Sequence, residues 1–183
     1  MRKIVAGLFI SLDGVTEAPD QWHFPCFNDE MGQAVGANME RSDALLLGRI
    51  TYDAFASYWP DKTGADDPFA DYINNVPKYV VSNTLERSDW EGTTVISGDV
   101  AGRIRELKEQ PGKDIGMSGS VATVRWLLAE GLLDELDLLV HPIVVGKGDR
   151  LFPDGTGQVS LRLLRSSTLS TGVVHITYGP AEG

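Results

Sequence analysis

The sequence predicts a three-layer α/β domain. Its central sheet has about eight strands, mainly parallel, with helices on both faces and an antiparallel C-terminal hairpin. Three observations lead there. Strand-like and helix-like segments alternate up to about residue 132, the pattern of parallel strands joined by crossover helices. The run Ala44–Leu47 is apolar at every position, as a strand covered on both faces must be. The last third is strand-like only, and Ser170-Thr171-Gly172 places a turn between its final two strands. The 183 residues suit one domain, 1–183.

The first strand is read at Ile4–Ile10. Arg2 and Lys3 before an apolar stretch resemble a targeting segment. The stretch is too short to span a membrane, and it runs straight into Ser11-Leu12-Asp13-Gly14 with no cleavage-like site. Asn28 is placed to cap a helix to about Arg41, with Met31, Val35 and Met39 on one face. Ala44–Leu47 follows, then a short helix capped by Thr51 and running through Ala56. Trp59–Pro68, rich in Asp, Gly and Pro, reads as a surface loop. Asp66 or Asp67 before Pro68 signals a helix start, with Phe69, Tyr72 and Ile73 on one side. Strands are expected at Lys78–Ser82 and Thr93–Ser97, then a helix after Asp99 carrying Ile104 and Leu107. Ile115–Met117 leads into the clearest helix, Val121 to Glu130, with Gly131 where a left-handed cap belongs. Leu136–Val145, broken by Pro142, Leu161–Ser167 and Val173–Tyr178 complete the sheet.

Composition excludes several functions. Sixteen Lys and Arg against 26 Asp and Glu give a net charge of −10, and no basic stretch matches a nucleic-acid footprint. Neither nucleic acid nor an anionic membrane is expected as a partner. The single cysteine, Cys26, allows no internal disulfide and no four-cysteine metal site, and no metal ligand set is expected. A reducing cytoplasm is the compartment that fits.

Ligands on such sheets bind beyond the carboxyl ends of the strands, and four strand exits are rich in polar and small residues. They are Ser11-Leu12-Asp13-Gly14, Gly48-Arg49-Ile50-Thr51-Tyr52, Ser82-Asn83-Thr84 and Ser118-Gly119-Ser120. Gly48 and Thr51 flank a helix start, where unpaired amides and the positive dipole end attract anions. Arg49 adds a planar cation suited to phosphate. Ser118-Gly119-Ser120 builds a second helix start, and Gly119 allows close backbone approach. Two such starts on one sheet edge suit a pyrophosphate, and Ser82 and Thr84 offer hydroxyls to a further phosphate. The third strand exit is neutral, with Glu86 and Arg87 beyond it, whereas an NAD site of the Rossmann type holds the ribose with an acid there. NADP is therefore expected over NAD. No GxGxxG motif occurs.

The succession SLDG, LLLGRITY, KYVVSNTL and GSVATVRWLLAEGLLDELDLLVHPIVVGKGDRLF resembles the reductase (C-terminal) domain of riboflavin-biosynthesis deaminase–reductases. It equally resembles stand-alone dihydrofolate-reductase-like proteins. The likeness runs from Ile4 to about Tyr178. It implies a dihydrofolate-reductase-like fold and NADPH as cofactor. By that likeness Gly48, Arg49 and Thr51 meet the pyrophosphate, and Ser82 and Asn83 lie by the adenosine ribose and its phosphate. Gly119, Ser120, Val121 and Ala122 cradle the phosphates from the other helix, and Leu12 and Asp13 lie near the nicotinamide. Many relatives have two glycines where this chain has Gly119-Ser120. Relatives commonly pair as homodimers, and the apolar C-terminal strands offer an interface.

Hydride transfer asks mainly for placement and exclusion of water, plus a proton. Asp13 is the expected proton donor. Asp29 and Glu30 are read as first-turn helix acids. Trp22, His23, Phe24 and Pro25 would border the substrate cleft, with Tyr52, Phe55 and Trp59 as its opposite wall. An aromatic cleft suits a planar heterocycle such as a pteridine, a flavin or a ribosylaminopyrimidine. His141 reads as a core or edge histidine, and His175 has no evident partner. Two alternatives stand beside the reductase. One is a non-catalytic nucleotide-binding module of the same fold. The other is a serine hydrolase using Ser118, whose Gly116-Met117-Ser118-Gly119-Ser120 misses the nucleophile elbow at its closing position.

Overall fold

The structure is a computed structural model and describes residues 1–181. Its eight strands form one sheet in the order β4-β3-β2-β5-β1-β6-β8-β7. They are β1 (Ile4–Ser11), β2 (Ser42–Gly48), β3 (Lys78–Val81), β4 (Thr93–Ile96), β5 (Asp114–Met117), β6 (Glu135–His141), β7 (Leu161–Thr168) and β8 (Val174–Pro180). All pairs from β4 to β6 are parallel, and β8 is antiparallel to both β6 and β7. The expected architecture is therefore present. No helix among the described residues is long and apolar enough to cross a membrane.

Five helices cover the sheet: α1 (Asp29–Glu40), α2 (Arg49–Tyr58), α3 (Ala70–Asn75), α4 (Val100–Glu109) and α5 (Val121–Ala129). Strand alternation sends Ile4, Ala6, Leu8, Ala44 and Leu46 to one face, where they pack with Ile104 and Leu107 of α4 and Val124 and Leu127 of α5. Leu45 and Leu47 point the other way, to Tyr52 and Ile73 of α2 and α3. Met31 of α1 meets Leu139 on β6. Leu46 and Leu47 are fully buried, each worth roughly 1.5–3 kcal/mol of apolar burial.

Several boundaries differ from the expected ones for identifiable reasons. Asn28 caps α1 as read, accepting from the Met31 amide at 3.0 Å. The cap of α2 is Gly48, not Thr51, which lies inside the first turn. α3 begins after Phe69 because the Asp67 carboxylate takes the Phe69 amide in a turn. β6 ends at His141 rather than Val145. Pro142 has no amide to give the ladder, and the Ile143 amide turns back to the His141 carbonyl.

Charged residues brace the edge of the sheet opposite the strand exits. Glu135, at the start of β6, is only 2% exposed and is held by Arg41, Lys3 and Arg165 at 2.9–3.0 Å. Burial alone would raise its pKa, but these three cations hold it down at about 2. Lys78, the first residue of β3, is fully buried. Its ammonium meets the Asn74 and Val76 carbonyls at 2.8 and 2.9 Å and lies 4.4 Å from the Trp90 ring centre.

Candidate cofactor and substrate site

Five strand exits line up along the carboxyl edge in the order β3, β2, β5, β1, β6. At about 4.8 Å per strand, β3 to β1 spans roughly 14 Å, a length that suits an extended dinucleotide.

The centre of this edge is closed by two glycines. The Gly48 amide donates to the Gly119 carbonyl at 3.0 Å. A Cβ on Gly48 would strike the hydroxyls of Ser120 and Thr123 and come within 2.8 Å of the Ser120 amide nitrogen. Gly119 has φ +135°, and a Cβ there would lie 2.5 Å from the Thr51 hydroxyl oxygen. The starts of α2 and α5, far apart in sequence, thus touch. Neither Gly48 nor Ser120 caps its helix with a side chain, so the first-turn amides keep their donors. The residues expected to grip phosphates from both sides, Gly48, Arg49 and Thr51 with Gly119, Ser120, Val121 and Ala122, are therefore brought together.

Arg49 leans toward β3. Its Nε bonds both Asp53 carboxylate oxygens at 2.8 and 2.9 Å, and its Nη1 donates to the Thr84 hydroxyl at 3.2 Å. The Ser82 hydroxyl accepts from the Thr84 and Leu85 amides at 3.2 and 3.1 Å, fixing the turn, while Asn83 is exposed. Arg49 consequently sits between the amide cradle and the Ser82–Thr84 turn.

Beyond β1 the chain is pinned to the segment after β6. Leu12 donates to the Ile143 carbonyl at 2.8 Å and leaves its side chain 67% exposed at the strand exit. Asp13 accepts from Ser11 Oγ at 2.6 Å and from the Val145 and Gly146 amides at 3.0 and 2.9 Å. These bonds lower its pKa to about 2, the Ser11 hydroxyl contributing most. An acid held ionised this firmly has no proton to give near neutral pH, so its geometry is that of a loop brace. Trp22 is buried against the edge of His141, and Phe24 is exposed beside His23.

The sequence profile of the RibD C-terminal domain matches residues 2–175. The chain belongs to the RibD C-terminal domain family. The Bacillus subtilis (strain 168) protein YyaP is 31% identical over 97% of this chain and 94% of its own. A putative riboflavin biosynthesis protein from Shewanella sp. PV-4 superposes with a TM-score of 0.79 at 25% identity, covering 100% of both chains. Dihydrofolate reductase from Enterococcus faecalis, solved with NADP(H), gives a TM-score of 0.65 at 15% identity over 98% of this chain and 97% of its own. The fold is dihydrofolate-reductase-like, as expected.

In this RibD C-terminal domain, Tyr52 and Phe55 do not form the expected cleft wall opposite Trp22. Both pack into the core beneath β2 and β3 with Trp59 and Trp90, and the Tyr52 hydroxyl is tied to Ser88 at 2.5 Å. Their helical spacing turns them toward Leu45 and Leu47 rather than toward the strand exits. His175 does have a partner: its Nε2 lies 2.9 Å from both oxygens of Asp137, which Asn38 and Thr177 also bond. The serine-hydrolase alternative gains no support. Among the described residues His175 is bonded to Asp137 and His141 Nδ1 to the Leu139 carbonyl, and neither is hydrogen-bonded to Ser118. No group of three or more His, Cys, Asp or Glu among the described residues is placed to hold a metal ion. Reading the chain missed Thr84 as the partner of Arg49, Thr123 beside Gly48, and Phe9 beneath His23. Thr84 carried a signal as part of a polar strand exit and Phe9 as an aromatic two residues before one; Thr123 carried none.

Proposed function

We propose that this chain is an NADPH-dependent reductase that delivers hydride to a small planar heterocycle of the pteridine, flavin or ribosylaminopyrimidine type. The observation that carries this reading is the contact of the two helix starts through Gly48 and Gly119. It brings the backbone amides that open α2 and α5 side by side, with the Thr51, Ser120 and Thr123 hydroxyls among them, a donor set of the kind a pyrophosphate needs. The bound cofactor would supply the hydride. The amides at the starts of α2 and α5 would hold its diphosphate, with Arg49 and the Ser82–Thr84 turn by the ribose phosphate. The turn itself, Ser82-Asn83-Thr84, has hydroxyls and no carboxylate, and Arg49, paired with Asp53, reaches its Thr84 hydroxyl, which favours NADP over NAD. The exposed Leu12 side chain offers an apolar face to the nicotinamide at the exit of β1.

Equilibrium titration with NADPH and NADH tests this. NADPH is expected to bind the more tightly, and Arg49→Ala to weaken it at least about tenfold, about 1.4 kcal/mol, with the fold intact by circular dichroism. An unchanged dissociation constant removes Arg49 from the site. One observation favours a second reading, a nucleotide-binding module without turnover: Asp13 is ionised and braced. NADPH binding with no oxidation across pteridine, flavin and aminopyrimidine substrates would select it. For association, we propose a homodimer through the C-terminal edge of the sheet, where Leu163 and Val159 are 54% and 47% exposed. Light scattering should give twice the chain mass, and Leu163→Glu should return a monomer. A monomer in the unaltered protein would refute the pairing.

A further inference from the structure

The exits of β1 and β6 hold a polar pair that the cofactor cradle does not use. His141, the last residue of β6, is fully buried, and its Nδ1 lies 2.8 Å from the Leu139 carbonyl oxygen. A carbonyl only accepts, so Nδ1 carries the hydrogen and Nε2 of the neutral ring is a bare acceptor. That Nε2 is buried with no hydrogen-bond partner among the described residues, and so is Nδ1 of His23, a residue only 7% exposed. A buried nitrogen left unpaired is costly, so a partner arriving from outside gains what the free protein forgoes.

The rings around this pair form a flat slot. His23 lies parallel to Phe9, with centroids 4.6 Å apart and planes 10° apart, and Phe24 covers its other side at 4.2 Å. His141 stands nearly perpendicular, 6.2 Å from the His23 centre, with Trp22 against it at 5.2 Å. Burial, and then the neighbouring His141, push His23 toward the neutral form, opposed by Asp20. Burial does the same to His141, opposed by the Leu139 and Ile10 carbonyls. The slot is therefore a stacking surface with no charge in it, and the unpartnered Nε2 belongs to a ring whose centre is 6.2 Å from that of His23.

We propose that a planar heterocycle bearing an N–H edge takes the place of the His23 ring on Phe9 and donates that hydrogen to Nε2 of His141. Calling this ligand the substrate rests on the reductase reading; its class follows from the slot alone. A ring presenting only acceptors at this edge would face the His141 lone pair and is disfavoured. His141 is thus a specificity-determining residue, and His23 a ring that must swing away.

Nitrogen-15 spectra of histidine-labelled protein test this without any turnover. An aminopteridine is the probe, and unsubstituted pteridine the control. On saturation with the aminopteridine, the His141 Nε2 resonance is expected to shift toward that of a hydrogen-bonded nitrogen, and the His23 ring to lose the ring-current effect of Phe9. His141→Phe should weaken the aminopteridine roughly tenfold or more, leave NADPH affinity unchanged, and leave pteridine bound no more weakly than before. His23→Ala should bind the aminopteridine more tightly, because the competing ring is gone. The inference is overturned if the probe does not saturate at millimolar concentration. It is also overturned if the probe saturates with His141 unmoved, as it would if a bridging water alone satisfied the pair. The spectra of the unaltered protein carry the test even if a variant fails to fold. A His141 response without NADPH binding would sink the reductase reading alone; NADPH binding with a silent His141 would sink this inference alone.

Discussion

Gly48→Ala is expected to weaken NADPH binding roughly ten- to a hundredfold, because the added methyl has nowhere to go. The hydroxyls of Ser120 and Thr123 could rotate aside, but the Ser120 amide nitrogen, 2.8 Å from the new carbon, belongs to the backbone. The exits of β2 and β5 must then separate, breaking the bond from the Gly48 amide to the Gly119 carbonyl. Overpacking of this kind costs about 1–3 kcal/mol, and each 1.4 kcal/mol that reaches the bound state is about tenfold in affinity. Gly36→Ala serves as control. Gly36 lies within α1 with open space around its missing Cβ, so alanine should leave binding unchanged and stabilise the helix by up to about 1 kcal/mol. Isothermal titration with both variants distinguishes the outcomes. An unaltered NADPH affinity in Gly48→Ala would mean that the diphosphate does not lie between α2 and α5.

Glu135→Gln is expected to destabilise the fold by about 3 kcal/mol while sparing cofactor binding. The residue sits at the opposite edge of the sheet from the cradle, 2% exposed, with Arg41, Lys3 and Arg165 around it. Its carboxyl is held at about 2 against an ordinary 4.5, and each unit is about 1.4 kcal/mol. Mutational experience with broken buried pairs gives about 3–5 kcal/mol. The lower end applies because Lys3 and Arg165 are half-exposed and rehydrate easily. A lowered folded-state pKa places this stability above pH 4.5 and removes it as the pH falls toward 2. The melting temperatures of the two proteins should therefore differ near neutrality and converge in acid. A constant difference across that range would show that packing, not charge, accounts for the loss.

Much of the layered architecture was legible in the order of residues. Asn28 and Asp99 announced α1 and α4 because a helix cap is a local bond to an amide three residues on. Gly131 marked the end of α5 through a φ of +65° that other residues avoid. The apolar run at Ala44–Leu47 became a strand buried on both faces because alternate residues were each covered by helices. The four polar strand exits followed from the general rule for parallel sheets. The cap of α2 was misplaced by three residues because glycine caps without a side-chain signal.

Local pattern therefore established the elements, their order, the mostly parallel sheet and the family to which the chain belongs. Which side chains share a site depended on the fold, because strand order brings together residues that no spacing relates. Folding sent Tyr52 and Phe55 into the core and gave His175 the carboxylate of Asp137. It made Asp13 a brace instead of an acid, since the two amides that hold it, Val145 and Gly146, arrive from the far side of the chain. It also buried Lys78 among carbonyls and left the His23 and His141 nitrogens without partners. Hydrogen bonding and desolvation are set by neighbours in space, and for Tyr52, His175 and Asp13 the partners Ser88, Asp137 and Val145 with Gly146 lie 36 to 133 positions away along the chain.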